Sequence, residues 1–349
     1  MKKRILLLGA GDSPHLFKWA YELSKNHIVR VVTFSFFSKD FKKYFSEDQL
    51  VSLNQKIDVR GNNFRVLFSF AKVAAIVNDF KPDIVNAHYA SSYGLVWVLS
   101  RLRIKPHPKT IISTWGSDVL VFPFKSLFHR LVLKFVLRSA DYITSDSFFM
   151  SDVIWQIAGR KANTFPFGLT ELPTIHIEKK NPFLFFSNRA LEENYCIDLV
   201  IQVFADLKKE LPTSHLVIAN KGSMEDRLKK QVEQLGIEES VSFVGYLSSE
   251  EQSNYYQAAS FYFSLPKSDA TSVSLLEAMG SGCIPLVSNI PANREWILPG
   301  VNGLFEEKIS KLEINTIYMK QESIIKMNRE IIKSRAVFPF ELDKFIKDI

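Results

Sequence analysis

The chain has 349 residues, 46% of them apolar and 23% charged, with a formal net charge of +7. That length is too great for one ordinary domain and comfortable for two, and the composition is globular rather than disordered or fibrous. No window approaches the ~18 apolar residues needed to span a bilayer. Cys196 and Cys283 are too few for a disulfide framework, so a reducing cytoplasmic setting is expected.

In chain order the pattern is β–α alternation. Met1–Ala10 opens on Lys-Lys-Arg, but Ile5–Leu8 is too short for the apolar part of a signal peptide. Arg4–Leu8 is predicted as a strand, Gly9–Pro14 as a loop, His15–Lys25 as a helix and Ile28–Phe34 as a strand. Phe64–Asp79 follows as a helix, Asp83–Ala87 as a strand, Ser91–Arg101 as a helix and Thr110–Ser113 as a strand. A basic helix near 125–138, the strand Tyr142–Ser145 and the helix Ser147–Ala158 complete the first half. Such alternation implies a parallel sheet covered on both faces. Leu8-Gly9-Ala-Gly11-Asp-Ser-Pro14 is not a dinucleotide fingerprint, because Pro14 occupies the sixth position of Gly-x-Gly-x-x-Gly.

The non-periodic stretch Gly168–Pro182 reads as an interdomain linker. The expected division is 1–170 for the first domain, 171–182 for the linker, 183–325 for the second domain and 326–349 for a helical tail. The alternation restarts with the strand Phe183–Phe186, the helix Ile197–Glu210 and the strand His215–Ala219. The helix Met224–Leu235, the strand Val241–Val244 and the strand Ala259–Pro266 follow, and from about residue 316 the chain is helical.

Charge is unevenly divided. Residues 1–170 carry 24 Lys and Arg against 12 Asp and Glu, and the remainder carries 20 against 25. The basic half is expected to face something anionic, although an ordinary solvated surface is the alternative. No zinc spacing or RNA-binding signature accompanies it, so nucleic acid is not expected. Arg130, Lys134 and Arg138 recur every four residues as one basic stripe, with Leu127, Leu131, Val132 and Phe135 supplying the apolar side. The expectation is that this apolar side packs on the sheet and leaves the stripe outside, where it can meet anionic lipid.

The most informative segment is Ser268-Asp269-Ala-Thr-Ser272-Val273-Ser274-Leu-Leu-Glu277-Ala-Met-Gly280. Ser272–Ser274 reads as an N-cap region and Leu275 as the first helical turn. A helix start offers unpaired N–H groups and a positive dipole end to a phosphate, here with a carboxylate before it and another in the first turn. Ser274-x-x-Glu277 is also a capping box, in which Glu277 would only tie back to the Ser274 backbone. The strands on either side, Ala259–Pro266 and Cys283–Ser288, make this a βαβ unit with both acids at its ligand end.

Asp269, seven residues, Glu277 and then Ala-Met-Gly resembles the paired-acid signature of the retaining glycosyltransferases of family 4, with Asp for the usual first Glu. The resemblance continues through Pro291-Ala-Asn-Arg-Glu-Trp-Ile and Pro299-Gly-Val-Asn-Gly-Leu-Phe. It implies the GT-B fold, two Rossmann-like parallel-sheet domains about a cleft, the last helix crossing back to the first domain. It also implies a nucleotide-sugar co-substrate, UDP-linked by expectation, and a saccharide or polyprenyl-pyrophosphate-linked acceptor at a cytoplasmic membrane face. No metal is expected, since Asp-x-Asp is lacking.

The same resemblance distributes the roles. Arg189 matches the phosphate-gripping Arg, for which a bidentate fork suits pyrophosphate. Glu277 takes the ribose hydroxyls, Asp269 the sugar hydroxyls, and the Ser272 and Val273 amides the distal phosphate. Gly11 approaches the pyrophosphate from the first domain. The family's Lys, about five residues after the Arg, is replaced by Asn194 or Tyr195, and Lys221 is a candidate for the substitute cation. Val85-Asn-Ala-His88-Tyr and Ser113-Thr-Trp115-Gly-Ser-Asp118 stand at strand ends facing the cleft, the second resembling the family's His-Gly-x-Asp stretch with Trp115 for His, making His88, Trp115 and Asp118 acceptor-side candidates. Each of these polar residues is as readily a satisfied structural group. His107, His129 and His176 have no ligand spacing. A catalytically silent GT-B scaffold and a nucleotide-sugar epimerase are the rival readings.

Overall fold

The computed structural model describes residues 2–55 and 64–349, and the chain divides into two compact units, Met1–Thr164 and Phe165–Ile349. The stretch expected as a linker and the C-terminal helices thus fall with the second unit.

In the first unit β1 (Arg4–Leu8), β2 (Ile28–Thr33), β3 (Leu50–Ser52), β4 (Ile84–His88), β5 (Lys109–Ser113), β6 (Tyr142–Ser145) and β7 (Asn163–Thr164) form one parallel sheet. Its order is β3-β2-β1-β4-β5-β6-β7. β1 and β4 are almost wholly buried, as strands of a parallel sheet with helices on both faces are, although β4 carries the polar Asn86 and His88 within its apolar run. The second unit repeats the arrangement with β8 (Asn181–Ser187), β9 (His215–Ala219), β10 (Val241–Gly245), β11 (Ala259–Ser264), β12 (Ile284–Val287) and β13 (Leu304–Phe305), ordered β10-β9-β8-β11-β12-β13. Phe261 and Phe263 stack with Phe185 in the core of this sheet, and Phe204 meets Phe185 edge-on. In both sheets the order reverses beside the first strand, between β1 and β4 and between β8 and β11. Ligands of open α/β sheets bind outside the carboxyl ends at such a switch point.

Several elements differ from expectation. The helix Phe64–Asp79 is a 3-10 turn over Phe64–Ser69 and then an α-helix over Phe70–Phe80. Ser91–Arg101 begins as the π-turn Ala90–Gly94 before the helix Leu95–Ser100. An unpredicted helix, Ser249–Ala258, carries a capping box in which Ser248 and Glu251 satisfy each other's backbone N–H. Three helices, Lys311–Tyr318, Gln321–Arg335 and Phe338–Asp348, make up the C-terminal stretch. Leu169 bridges to Val337, and Gly168 is required there, since a Cβ would lie 1.8 Å from the Ala336 carbonyl oxygen.

The basic helix spans Leu127–Arg138, and Arg130 and Arg138 are exposed, but the apolar side expected to pack on the sheet is exposed with them. Leu133, Val136 and Leu137 point inward, with Val136 packed at Gly94, while Leu127, Phe128, Leu131 and Phe135 stand exposed. A helix apolar on nearly every side does not declare its buried face by period alone. Arg138 also departs from the stripe's role: its Nε donates to the Ala158 carbonyl at 2.9 Å and so ties two helices together.

Candidate active site

Three segments of the second unit converge at its switch point: the turn after β8, the loop after β11 and the start of the helix Val273–Gly280. Arg189 joins them. Its Nη2 lies 2.6 Å from Asp269 Oδ2, and its Nη1 donates to Ser274 Oγ at 3.0 Å and to Ser272 Oγ. Tyr195 supports the guanidinium from its ring face at 4.4 Å. The Arg189 and Asp269 side chains are only 10% and 18% exposed. Burial works against the charge of Arg189, but Asp269, with Tyr262 and Tyr195 beside it, more than offsets this and the guanidinium is held more basic than usual. Asp269 Oδ1 accepts the Ala270 N–H at 2.9 Å, so both oxygens are engaged and the acid fixes the loop as well as the cation.

Ser272 is the N-cap, accepting the Leu275 N–H at 3.3 Å. The first-turn amides beyond it, Val273 and Ser274, are those that a helix leaves without intrahelical partners, beside a positive dipole end and a guanidinium. The capping-box alternative for Glu277 fails, because Ser272 rather than Ser274 is the cap. Glu277 is the fifth helical residue, two positions further in than a Ser274 cap would place it.

Glu277 Oε2 lies 3.0 Å from Gln252 Nε2 and 3.1 Å from the Tyr256 hydroxyl. Tyr256 in turn accepts from Asn188 Nδ2 at 2.9 Å, and Asn188 Oδ1 accepts from the Tyr262 hydroxyl at 2.7 Å. Burial first, and then Glu277, push the Tyr256 hydroxyl well above its ordinary pKa, so it stays a donor to the carboxylate. This relay aims Glu277 and couples it through Asn188 to the turn that carries Arg189. Gln252 and Tyr256 sit on the unpredicted helix; the readable signal was Ser248-x-x-Glu251.

Lys221 is exposed in the loop after β9, its carbonyl accepting the Leu191 N–H at 3.1 Å. A nearer basic neighbour of the slot that lacks Lys is Lys267. Its N–H donates to the Asn194 carbonyl at 2.8 Å, Asn194 Nδ2 donates to the Ser268 carbonyl at 2.9 Å, and Lys267 Nζ pairs with Glu193 at 2.8 Å. Sequence reasoning missed Lys267, although it stands two residues before Asp269. Among the described residues no group of three or more His, Cys, Asp and Glu is placed to hold a metal ion.

In the first unit the acceptor-side candidates separate. His88 is 1% exposed and accepts the Trp115 indole N–H on Nδ1 at 3.1 Å. Asp118 is fully buried and accepts the Ala90 N–H at 2.7 Å and the Trp115 N–H at 3.0 Å. Both hold the loop from within, and Trp115 alone of the three is half-exposed. It meets His15 and His88 edge-on at 5.3 and 5.4 Å. Gly11 is set by packing: a Cβ would lie 2.5 Å from the Phe36 carbonyl oxygen, and its N–H donates to Thr33 Oγ1 at 3.0 Å.

These buried groups set a pH dependence. Burial, then His15, lower His88 to about 3, and burial raises Asp118 to about 6. Below pH 6.5 the unfolded chain protonates His88 while the folded chain does not, so stability falls on acidification toward pH 3. Asp118 acts oppositely between pH 6 and 3.8, where the folded form holds the extra proton. His88→Gln should therefore lose less melting temperature than the wild type between pH 7 and 4.5. The slope is the readout, and an unchanged slope would contradict the assignment.

Two family models match the chain: "Glycosyl transferase 4-like" over residues 4–147 and "Glycosyl transferases group 1" over residues 170–328. The chain is 26% identical over 265 residues to the alpha-monoglucosyldiacylglycerol synthase of Streptococcus pneumoniae, covering 69% of this chain and 57% of that protein. It is 24% identical over 207 residues to the GDP-mannose:cellobiosyl-diphosphopolyprenol alpha-mannosyltransferase of Komagataeibacter xylinus, covering 57% and 52%. The matches thus span little more than half of these relatives' own length. Among solved structures, Anabaena HepE in complex with UDP and glucose superposes with a TM-score of 0.78 at 15% identity, covering 99% of this chain and 100% of that one. Sucrose-phosphate synthase of Thermosynechococcus elongatus gives 0.79 at 14% identity, covering 99% of both chains.

Proposed function

The chain belongs to the group 1 glycosyltransferases of GT-B type, and from that premise we propose that it is a retaining enzyme moving a hexose or N-acetylhexosamine from a UDP-sugar to a saccharide or lipid-linked acceptor. Its setting in this reading is the assembly of cell-surface polysaccharide, lipopolysaccharide included. The protein is cytoplasmic and peripheral on an anionic membrane face, and no helix among the described residues is long and apolar enough to cross that membrane.

The observation that carries the reading is Arg189 drawn onto the N-terminal serines of the helix Val273–Gly280, with Glu277 aimed by Tyr256 and Gln252 one turn on. Arg189 and the Val273 amide take the diphosphate, and Glu277 takes the ribose hydroxyls. Asp269, whose carboxylate offers lone pairs beyond those used by Arg189 and Ala270, takes sugar hydroxyls. The bond from the anomeric carbon to the phosphate oxygen breaks, and the acceptor oxygen bonds that carbon on the same face. Its proton passes to the departing phosphate oxygen. Arg189 and the helix start stabilise the negative charge that develops, so no divalent metal is required.

The relatives' printed names support a lipid- or polyprenol-linked acceptor, and the bound UDP and glucose of HepE support the donor. UDP and one UDP-sugar should raise the melting temperature in EDTA as much as with magnesium, because binding to the native state alone stabilises it. A shift that vanishes with EDTA would count against the metal-free reading. A protein stabilised by UDP that neither transfers nor hydrolyses any sugar in a nucleotide-sugar panel would be the silent scaffold instead.

A further inference from the structure

The helix Leu127–Arg138 exposes its apolar side instead of burying it. Leu127, Leu131 and Phe135, spaced four apart, form a ridge 72%, 54% and 53% exposed, with Phe128 at 68% beside it and Phe124 at 63% on the preceding turn. A water-facing helix turns charged and polar residues outward, and contiguous exposed Leu and Phe mark a contact surface. Arg130 and Lys134, one turn apart, flank the ridge, Lys125 stands just before it, and from Val119 to Ala140 there is no Asp or Glu. Twelve residues make a helix about 18 Å long, too short to cross a bilayer and long enough to lie in its surface.

We propose that this helix seats the first unit on an anionic bilayer by inserting its apolar ridge among the acyl chains. Phe124, Leu127, Phe128, Leu131 and Phe135 enter at the boundary between headgroups and chains. Lys125, Arg130 and Lys134 lie along the edge at phosphate level, their stems following the apolar surface while their charges reach the phosphates. The occupant is identified by complementarity: an apolar ridge on a segment whose only charged residues are cations matches a surface that is apolar below and anionic above. Attachment therefore has two parts, an electrostatic one that salt screens and an insertion that it does not. The inference deepens the membrane-facing part of the proposed function and is independent of the donor chemistry.

The test is sedimentation of the full chain with vesicles of phosphatidylglycerol and phosphatidylcholine, against phosphatidylcholine alone, at low and high salt. The wild type should bind the anionic vesicles and keep a measurable fraction bound at high salt. The variant Leu127→Ser/Leu131→Ser/Phe135→Ser should lose roughly tenfold or more in affinity and release whatever remains as salt rises. Arg130→Gln/Lys134→Gln should lose the preference for anionic lipid. UDP affinity, measured in parallel, should be unchanged in both variants, so a failure here is distinguishable from a failure of the donor site. Undiminished binding by the serine variant, or equal binding to neutral vesicles by the wild type, would overturn the proposal. So would a wild-type dimer that the serine substitutions turn into monomers without affecting sedimentation, which would make the ridge a contact between copies.

Discussion

Arg189→Ala is expected to lower kcat/KM by at least about a hundredfold, the scale on which removing one donor to a developing anion costs an enzyme. The same change should also destabilise the fold, because Asp269 would keep its place at 18% exposure without its partner. Breaking a buried pair from one side costs about 3–5 kcal/mol, and partial exposure places this one toward the lower end. The two effects separate in the double variant Arg189→Ala/Asp269→Ala, which removes the orphaned charge. Its melting temperature should recover much of the loss while its activity does not. Arg189→Lys should fall between, since an ammonium cannot reach Asp269 and the two serines with a fixed fork. Full activity in Arg189→Ala would remove the anion seat from the account.

Glu277→Ala is expected to weaken UDP by roughly 30- to 100-fold, the equivalent of about 2–3 kcal/mol for hydrogen bonds between ribose hydroxyls and a carboxylate. The structure supplies the rival explanation and so the control. Glu277 also anchors Tyr256 and Gln252, and its loss could act through them. Comparing UDP with its 2′-deoxy analogue isolates the contact: the wild type should discriminate between them and Glu277→Ala should not, which is a double-mutant cycle with the ligand as one partner. Tyr256→Phe should preserve the discrimination at reduced affinity. Asp269→Ala should leave UDP affinity within a few-fold and chiefly lower turnover with the full donor.

What was legible in the sequence follows from how local each signal is. The buried strands of both sheets are legible as short, mainly apolar runs that alternate with helical stretches, and the expected bounds of Tyr142–Ser145 and His215–Ala219 match the structure to the residue. The edge strands Leu50–Ser52, Asn163–Thr164 and Leu304–Phe305 are too short to show a period. The pairing of Asp269 and Glu277 at one helix start could be read because both lie in one loop and helix. Tyr256 could not, because it reaches Glu277 from a helix that begins 24 residues before Val273. Lys267 and the Tyr195 support of Arg189 are likewise contacts between separate loops. The outward face of Leu127–Arg138 differs from expectation because eight of its twelve residues are apolar, so either side satisfies the pattern.

A nucleoside diphosphate is proposed to bind at Arg189, the start of the helix Val273–Gly280 and Glu277 without a metal ion. Titration of UDP into the wild type and into Glu277→Ala, both in EDTA, tests it most directly. Saturable one-to-one binding to the wild type, weakened tenfold or more in the variant while the melting temperatures of the free proteins stay close, is the result predicted. No binding by the wild type in EDTA, or equal affinity in the two proteins, would contradict it.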